Sequence, residues 1–206
     1  MVLDFTKRTT NETKMHPEAA EKTVSFNVVD ALQSLSLEDI KIIADEAAFP
    51  YAVAIANISG DLNTGMIIRT ASVFAASKVF IFGRRKYDRR STVGAHHYIN
   101  VEAYPNVPDE HAPFNWENML QIIRINGFTP VLIEQGGAPL GTVDHLPTPP
   151  PCLVFGPEDT GIPADICATE LCYSIPQPGI LRSLNVAVAA GIVMQHFAAH
   201  YLAAAK

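Results

Sequence analysis

Ser174-Ile175-Pro176-Gln177-Pro178-Gly179-Ile180-Leu181-Arg182-Ser183-Leu184-Asn185-Val186-Ala187-Val188-Ala189 is the stretch on which the fold turns. It reads as a short strand ending at Ile175, a rigid Pro-rich crossing, and a cap, Ser183 or Asn185, in front of a helix. Polar groups crowded at such a junction either cap the helix or grip a small ligand, and the stretch alone does not separate the two. Downstream, Val186 to Ala205 runs for 20 residues without a formal charge, enough in length for a membrane span. Gln195, His196 and His200 interrupt it, and Ala supplies much of its apolarity. A buried terminal helix, placed at a subunit interface rather than in a membrane, is therefore expected.

Upstream, short apolar runs alternate with helical segments. Tyr51 to Ile58, Lys78 to Phe82, Thr129 to Ile133 and Cys152 to Phe155 have the length of buried strands. Ser36-Leu37-Glu38-Asp39 has capping-box spacing and opens a predicted helix to about Ala48, ended by Pro50. Further helices are predicted from Asn63, a natural N-cap, to Ala76, and from Trp116 to Asn126, where Gly127 stands in the C-terminal position. The Gly and Pro content of GGAPLGTVDHLPTPPP, residues 136–151, predicts a loop without regular structure. This alternation predicts an α/β fold with a mainly parallel sheet flanked by helices. Residues 1–49 are expected to form an N-terminal arm and helix, and 50–206 the main domain, with no repeat or linker to divide it.

Composition narrows the function classes. The 206 residues are 48% hydrophobic and 17% charged, so a full core can be buried. A net charge of -6 excludes a chain that coats nucleic acid by bulk charge, though not a local basic patch. The three cysteines, Cys152, Cys167 and Cys172, form no Cys-x-x-Cys pair. They read as buried thiols in a reducing, cytoplasmic setting. The N-terminus is charged throughout and carries no apolar core of a secretory signal.

Ligands of open parallel sheets bind beyond the carboxyl ends of strands. No G-x-G-x-x-G or G-x-x-x-x-G-K-[ST] stands at any such place. Two other junctions join the one quoted above. Asn57 to Ala71 passes from a strand end into a helix, with Arg69 among Met66, Ile67, Ile68 and Ala71. An Arg there either reaches water or holds an anion in a cleft. Leu153 to Pro163 delivers Gly156 and Glu158 into a tight turn. Gly156 would let a ligand approach the backbone, or the stretch is an ordinary turn with Glu158 facing the next helix.

Together the three junctions resemble the SpoU family of RNA ribose 2'-O-methyltransferases, of the SPOUT class. N-x-x-x-x-x-R-[ST]-A matches Asn63, Arg69, Thr70 and Ala71. L-V-x-G-x-E-x-x-G matches Leu153, Val154, Gly156, Glu158 and Gly161. I-P-x-x-G-x-x-x-S-L-N-V-x-V-A matches Ile175, Pro176, Gly179, Ser183, Leu184, Asn185, Val186, Val188 and Ala189. Gln177 and Ile162 depart from the commoner Met and Leu, at no catalytic position.

The resemblance implies a C-terminal deep trefoil knot, a homodimer formed through the knot region, and S-adenosyl-L-methionine as cofactor. Ile133, Glu134, Gly136, Gly156, Ile175 and Leu184 would bind the cofactor. Arg69 would be catalytic, with Asn63, Glu158, Ser183 and Asn185 shaping its site. The family assigns hydroxyl activation to that Arg. A guanidinium with a pKa above about 12 is a very poor base, so phosphate clamping and orientation are the expected role.

The RNA, transfer or ribosomal, needs a surface. Lys78, Arg84, Arg85, Lys86, Arg89 and Arg90 place six of 15 basic residues within 13 positions, opposed only by Asp88. Arg84, Arg85, Lys86, Arg89 and Arg90 are expected to hold the RNA backbone, with Tyr87, His96 and His97 as stacking surfaces. No metal site is expected. His196 and His200 have i, i+4 spacing but lack the Glu of H-E-x-x-H and a third ligand. The competing reading is a non-catalytic RNA-binding protein that keeps this fold; the five polar site residues argue against it.

Overall fold

The computed structural model describes residues 27–204, except 57, 59, 84–86 and 106–113. The expected arm over residues 1–22 lies outside the described residues. Ser36 caps the first helix, α1 (Leu37–Ala47), by accepting the Asp39 N–H at 3.1 Å. Then come β1 (Phe49–Ala56), α2 (Asp61–Val73), β2 (Ala76–Phe82), the short α3 (Arg89–Thr92), β3 (Asn100–Tyr104) and α4 (Trp116–Ile125). The chain continues through β4 (Thr129–Pro139), β5 (Pro151–Phe155), the short α5 (Ala164–Cys167), β6 (Leu171–Ser174) and α6 (Val186–Ala204).

The strands form one six-stranded sheet in the order β3-β2-β1-β5-β4-β6, and every neighbouring pair is parallel. Alternate residues of each strand face opposite sides, as the pleat requires. Val53, Ile55, Val79, Val131, Leu153 and Phe155 pack with Ile67 and Ile68 of α2 and Val193 and Phe197 of α6. Ala52, Ala54, Phe80, Leu132, Cys152 and Val154 pack with Met119, Leu120 and Ile123 of α4 on the other face. The fold is therefore three layers, helices on both faces of a parallel sheet. Burying each large side chain such as Phe155 or Phe197 contributes roughly 1.5–3 kcal/mol. α6 is long and apolar enough to cross a membrane, yet its Ala190, Val193, Met194 and Phe197 are fully buried against the sheet.

The sequence reading placed no strand at β3, and four further details differ from it. Pro50 does not merely end α1; it lies inside the central strand β1, where the β1–β2 register shifts between Phe49 and Ala52. That irregularity accommodates a residue with no N–H to give the ladder. α2 begins two residues earlier than expected: Gly60 occupies the N-cap position and Asn63 stands inside the helix. Residues 136–139, expected as loop, belong to β4, whose pairing with β6 lapses after Ile133 and resumes at Ala138. Part of the basic segment after β2 is helical, since α3 packs against α2. A side chain at Gly65 would meet Asp88 O at 2.7 Å, so glycine is what permits that packing.

Candidate active site

A cleft of about 330 Å³ opens beyond the carboxyl ends of β4, β5 and β6. Its floor is apolar, with Ile133, Phe155, Ile175, Leu184, Val186 and Ala189, and its rim carries Glu134, Gln135, Glu158, Asp159, Arg182 and Ser183. The position is the one expected for ligands of parallel sheets, and its volume lies within the roughly 300–1,000 Å³ range of small-molecule sites. Five of the six expected cofactor residues, Ile133, Glu134, Gly156, Ile175 and Leu184, line it; Gly136 does not. Gly136 has a φ of +88° with open space where a side chain would be, so its contribution is the turn it permits.

Gly156 has a packing reason beside the one expected. A Cβ there would come within 2.7 Å of Ile162 Cγ1 and 3.1 Å of the Gly161 carbonyl carbon. The missing side chain lets the chain fold back on its own turn, while Gly156 also lines the cleft.

The three sequence junctions meet at the mouth of this cleft. Asn63 Nδ2 donates to Glu158 Oε1 at 2.5 Å, and Asn185 Nδ2 donates to Asn63 Oδ1 at 3.2 Å. Asn185 Oδ1 accepts the N–H groups of Ala187 at 2.9 Å and Val188 at 3.3 Å. Asn185, not Ser183, is thus the cap of α6, and one side chain both caps the helix and orients Asn63. Asn63 caps nothing; its amide reads a carboxylate on one side and an amide on the other. The link from α2 to the turn after β5 spans the point where the sheet's strand order reverses, between β1 and β5. Ser183 lies on the cleft rim and forms no hydrogen bond among the described residues.

Arg69 is not brought to the cleft lining. It is exposed on α2 and pairs with nothing among the described residues. Six residues of helix rotate it about 120° away from Asn63, so the two motif residues face different directions.

Of the expected RNA surface, Arg84, Arg85 and Lys86 lie outside the described residues. Arg89 is exposed on α3. Arg90 is exposed too, but its guanidinium is held by Asp88 at 2.9 Å, and this pairing lowers the Asp88 pKa. Lys78 does not belong to the patch: it points from β2 to Glu102 at 2.6 Å and lies over the Phe80 ring. The Lys78 hydrogen bond holds the Glu102 carboxyl below its ordinary range. Tyr87 and His96 rings lie 5.8 Å apart and those of His96 and His97 4.0 Å apart, a small aromatic group beside Arg89. Burial, with His97 and Arg89 close by, lowers the His96 pKa and favours its neutral form.

His196, His200 and the three cysteines do not line the cleft. His196 and His200 are 3.4 Å apart on α6, and no group of three or more metal-ligating side chains occurs among the described residues. All three cysteines are free thiols, and burial raises the pKa of Cys152 and pushes that of Cys167 up to about 12. Sequence reasoning gave no role to Asp159 and Arg182, which the fold brings to the rim; Gln135, also there, lies in the loop of residues 134–136 that the resemblance expects to close over the cofactor. Arg182 carried a usable signal, a cation inside a Pro- and Gly-rich junction.

The chain matches the sequence profile of the SpoU rRNA Methylase family over residues 50–195. It is 28% identical over 137 residues to the mouse tRNA (guanosine(18)-2'-O)-methyltransferase TARBP1, covering 66% of this chain and 8% of that protein. It is 33% identical over 157 residues to an uncharacterized tRNA/rRNA methyltransferase of Mycolicibacterium smegmatis, covering 74% of this chain and 48% of that one. The chain thus spans about half of the bacterial relative and a small part of the mouse one. Among solved structures, the A. aeolicus TrmH/SpoU tRNA modifying enzyme superposes with a TM-score of 0.67 at 21% identity, covering 82% of this chain and 84% of that one. The AdoMet-bound rRNA methyltransferase of Sinorhizobium meliloti gives 0.61 at 25% identity, covering 77% of this chain and 60% of that one. With three motifs meeting at one cleft and the profile covering most of the chain, this protein belongs to the SpoU rRNA methylase family.

Proposed function

We propose that the chain is an S-adenosylmethionine-dependent RNA methyltransferase that transfers a methyl group to a ribose 2'-hydroxyl of transfer or ribosomal RNA. The observation that carries this reading is the hydrogen-bonded chain Asn185–Asn63–Glu158, which assembles all three motifs at one cleft mouth.

The cleft fits the cofactor chemically. Ile133, Phe155, Ile175 and Leu184 offer an apolar floor for an adenine ring, and backbone groups of the turn after Gly156 and of the junction at Leu184 border it. Rim carboxylates at Glu158 and Asp159 suit a cationic ligand. When bound, S-adenosylmethionine supplies an activated sulfonium methyl whose leaving group departs neutral. The protein's own work is alignment and management of the hydroxyl proton. Asn63, fixed from both sides, holds Glu158 at the mouth; Ser183 faces the same space with its hydroxyl uncommitted among the described residues. The free guanidinium of Arg69 clamps an RNA phosphate, and Arg89, beside Tyr87, His96 and His97, extends the RNA track.

The same reading includes a homodimer and a knot. α2 leaves Leu62, Met66 and Val73 exposed beside Arg69, and α6, packed on α2, leaves Val188 and Ile192 exposed. A second copy covering these side chains removes apolar surface from water and brings a second molecule close to Arg69. Strand β6 lies at the sheet edge beyond β4, while α6 packs against α2 and β5. Residues 175–185 connect that edge strand to a helix packed elsewhere on the sheet, which supports a knotted crossing.

Incubation of the purified protein with isotopically labelled S-adenosylmethionine and, separately, unmodified transfer and ribosomal RNA tests the reaction. Nuclease digestion and mass spectrometry are expected to yield a labelled 2'-O-methylnucleoside from one pool. Label on a base overturns the ribose assignment; no label and no cofactor binding favours the non-catalytic RNA binder.

A further inference from the structure

We propose that Glu134 and Gln135 form a clasp that ties the three segments walling the cleft, so that Glu134 is a positioning residue for cofactor binding rather than a ligand of the cofactor. The inference rests on the reading of the cleft as a cofactor site.

The clasp begins with an excursion of β4. Ile133 and Ala138 both register with Tyr173 of β6, so residues 134–137 leave the ladder and return to the place they left. At the base of the excursion, a Cβ on Gly137 would lie 2.8 Å from backbone atoms of Cys172 and Tyr173, so this end is pressed directly on β6. The excursion is thus anchored at its foot, and its tip carries Glu134 and Gln135 over the cleft.

Both carboxylate oxygens of Glu134 are engaged by backbone amides. Oε1 accepts the N–H of Gln135 at 2.8 Å, and Oε2 accepts the N–H of Ile162 at 2.8 Å. The second bond joins the excursion to the turn after β5, 28 residues away. Gly161 serves that bond: its φ is +65°, and a Cβ there would stand 2.6 Å from Glu134 Oε2. Gln135 then donates its side-chain amide to the carbonyl of Arg182, in the junction ahead of α6 and 47 residues distant. Two consecutive residues therefore hold the turn after β5 and the junction after β6 to a single point on β4. Hydrogen bonds from amides to a carboxylate are the strong kind.

The test uses the full chain with Glu134→Ala, Glu134→Gln and Gln135→Ala. Gln at 134 keeps an acceptor oxygen for one of the two N–H groups and turns an NH2 donor toward the other. Amide exchange at Ile162 is measured without ligand, and S-adenosylhomocysteine affinity by calorimetry. Ile162 exchange is expected to rise and affinity to fall, each about tenfold for both Glu134 variants, while melting temperatures stay within a few degrees. Gln135→Ala is expected to weaken affinity without changing Ile162 exchange. In methyl transfer, KM for S-adenosylmethionine rises while kcat holds within about twofold, a split that general loss of structure does not give. Lost affinity with unchanged Ile162 exchange in the Glu134 variants makes Glu134 a direct ligand and overturns the clasp, as does no change in either. If Glu134→Ala does not fold, Glu134→Gln carries the same test. Should the wild-type protein bind no S-adenosylhomocysteine, the reading of the cleft falls, and Ile162 exchange still decides whether the clasp exists.

Discussion

Asn63 Nδ2 stands 2.5 Å from Glu158 Oε1, a bond between residues 95 apart in sequence that joins the helix after the first strand to the turn after the fifth. Asn63 is itself held by Asn185, so the carboxylate's position depends on a chain of two amides rooted in the cap of α6. Removal of either Asn63 or Glu158 leaves the other without its partner at the cleft mouth.

Asn63→Ala and Glu158→Ala are each expected to lower kcat/KM by about tenfold or more, from loss of a hydrogen bond to a charged group. Because the two act as one unit, the double variant is expected to lose little beyond the worse single one. A double-mutant cycle on methyl transfer checks this; additive losses would show that the bond is incidental.

Arg69→Ala is expected to leave the fold intact, since the side chain is exposed and unpaired among the described residues. Methyl transfer should fall on the order of 100-fold or more, with S-adenosylhomocysteine affinity unchanged within about twofold. Calorimetry beside turnover decides the matter, and parallel loss of cofactor affinity would contradict the assigned role.

Arg89 and Arg90 adjoin in sequence but differ in what holds them. Asp88 holds Arg90, whereas Arg89 is open. Arg89→Ala should therefore weaken RNA binding more than Arg90→Ala, and should reduce the slope of log affinity against log salt by about 0.7–0.9, one phosphate contact. RNA titrations between low and moderate salt measure both, and an unchanged slope removes Arg89 from the RNA track.

Lys78 and Glu102 make a structural pair between neighbouring strands. Lys78 holds the Glu102 pKa below the ordinary value of 4.5, so the folded state binds its proton later than the unfolded chain does. The resulting stability is fully present above pH 4.5 and is lost as pH falls through the lowered value. Both side chains are partly solvated, so the contribution is at most about 1 kcal/mol. Lys78→Met is expected to lower the melting temperature at pH 7 and to flatten this acid limb, as thermal unfolding at pH 3 and pH 7 would reveal.

Much of this architecture was legible in local pattern. The apolar runs at β1, β2 and β5 and the capping at Ser36 are set by near neighbours in the chain, and each appears within two residues of where the pattern placed it. The extension of β4 beyond Gly136 and Gly137 was not legible, because Gly and Pro ordinarily end a strand, and only the return of pairing with β6 at Ala138 and Pro139 carries the strand past them. Asn63 shows the same limit. Its local chemistry favours an N-cap, and only the approach of Glu158 and Asn185 from distant segments gives its amide better partners.

Residue type and order alone established the alternating α/β layout, the three motifs and the family they mark, because those depend on periodicity and spacing along the chain. The tertiary structure decided that Asn185 rather than Ser183 caps α6, that Gly156 makes room for Ile162, and that Lys78 serves the sheet rather than the basic patch. It also separated Arg69 from the cleft and set Glu134 and Gln135 across two other loops. The physical reason is common to all of these. A side chain's partner is chosen by what the fold brings within about 3 Å, and that choice is made by segments tens of residues away.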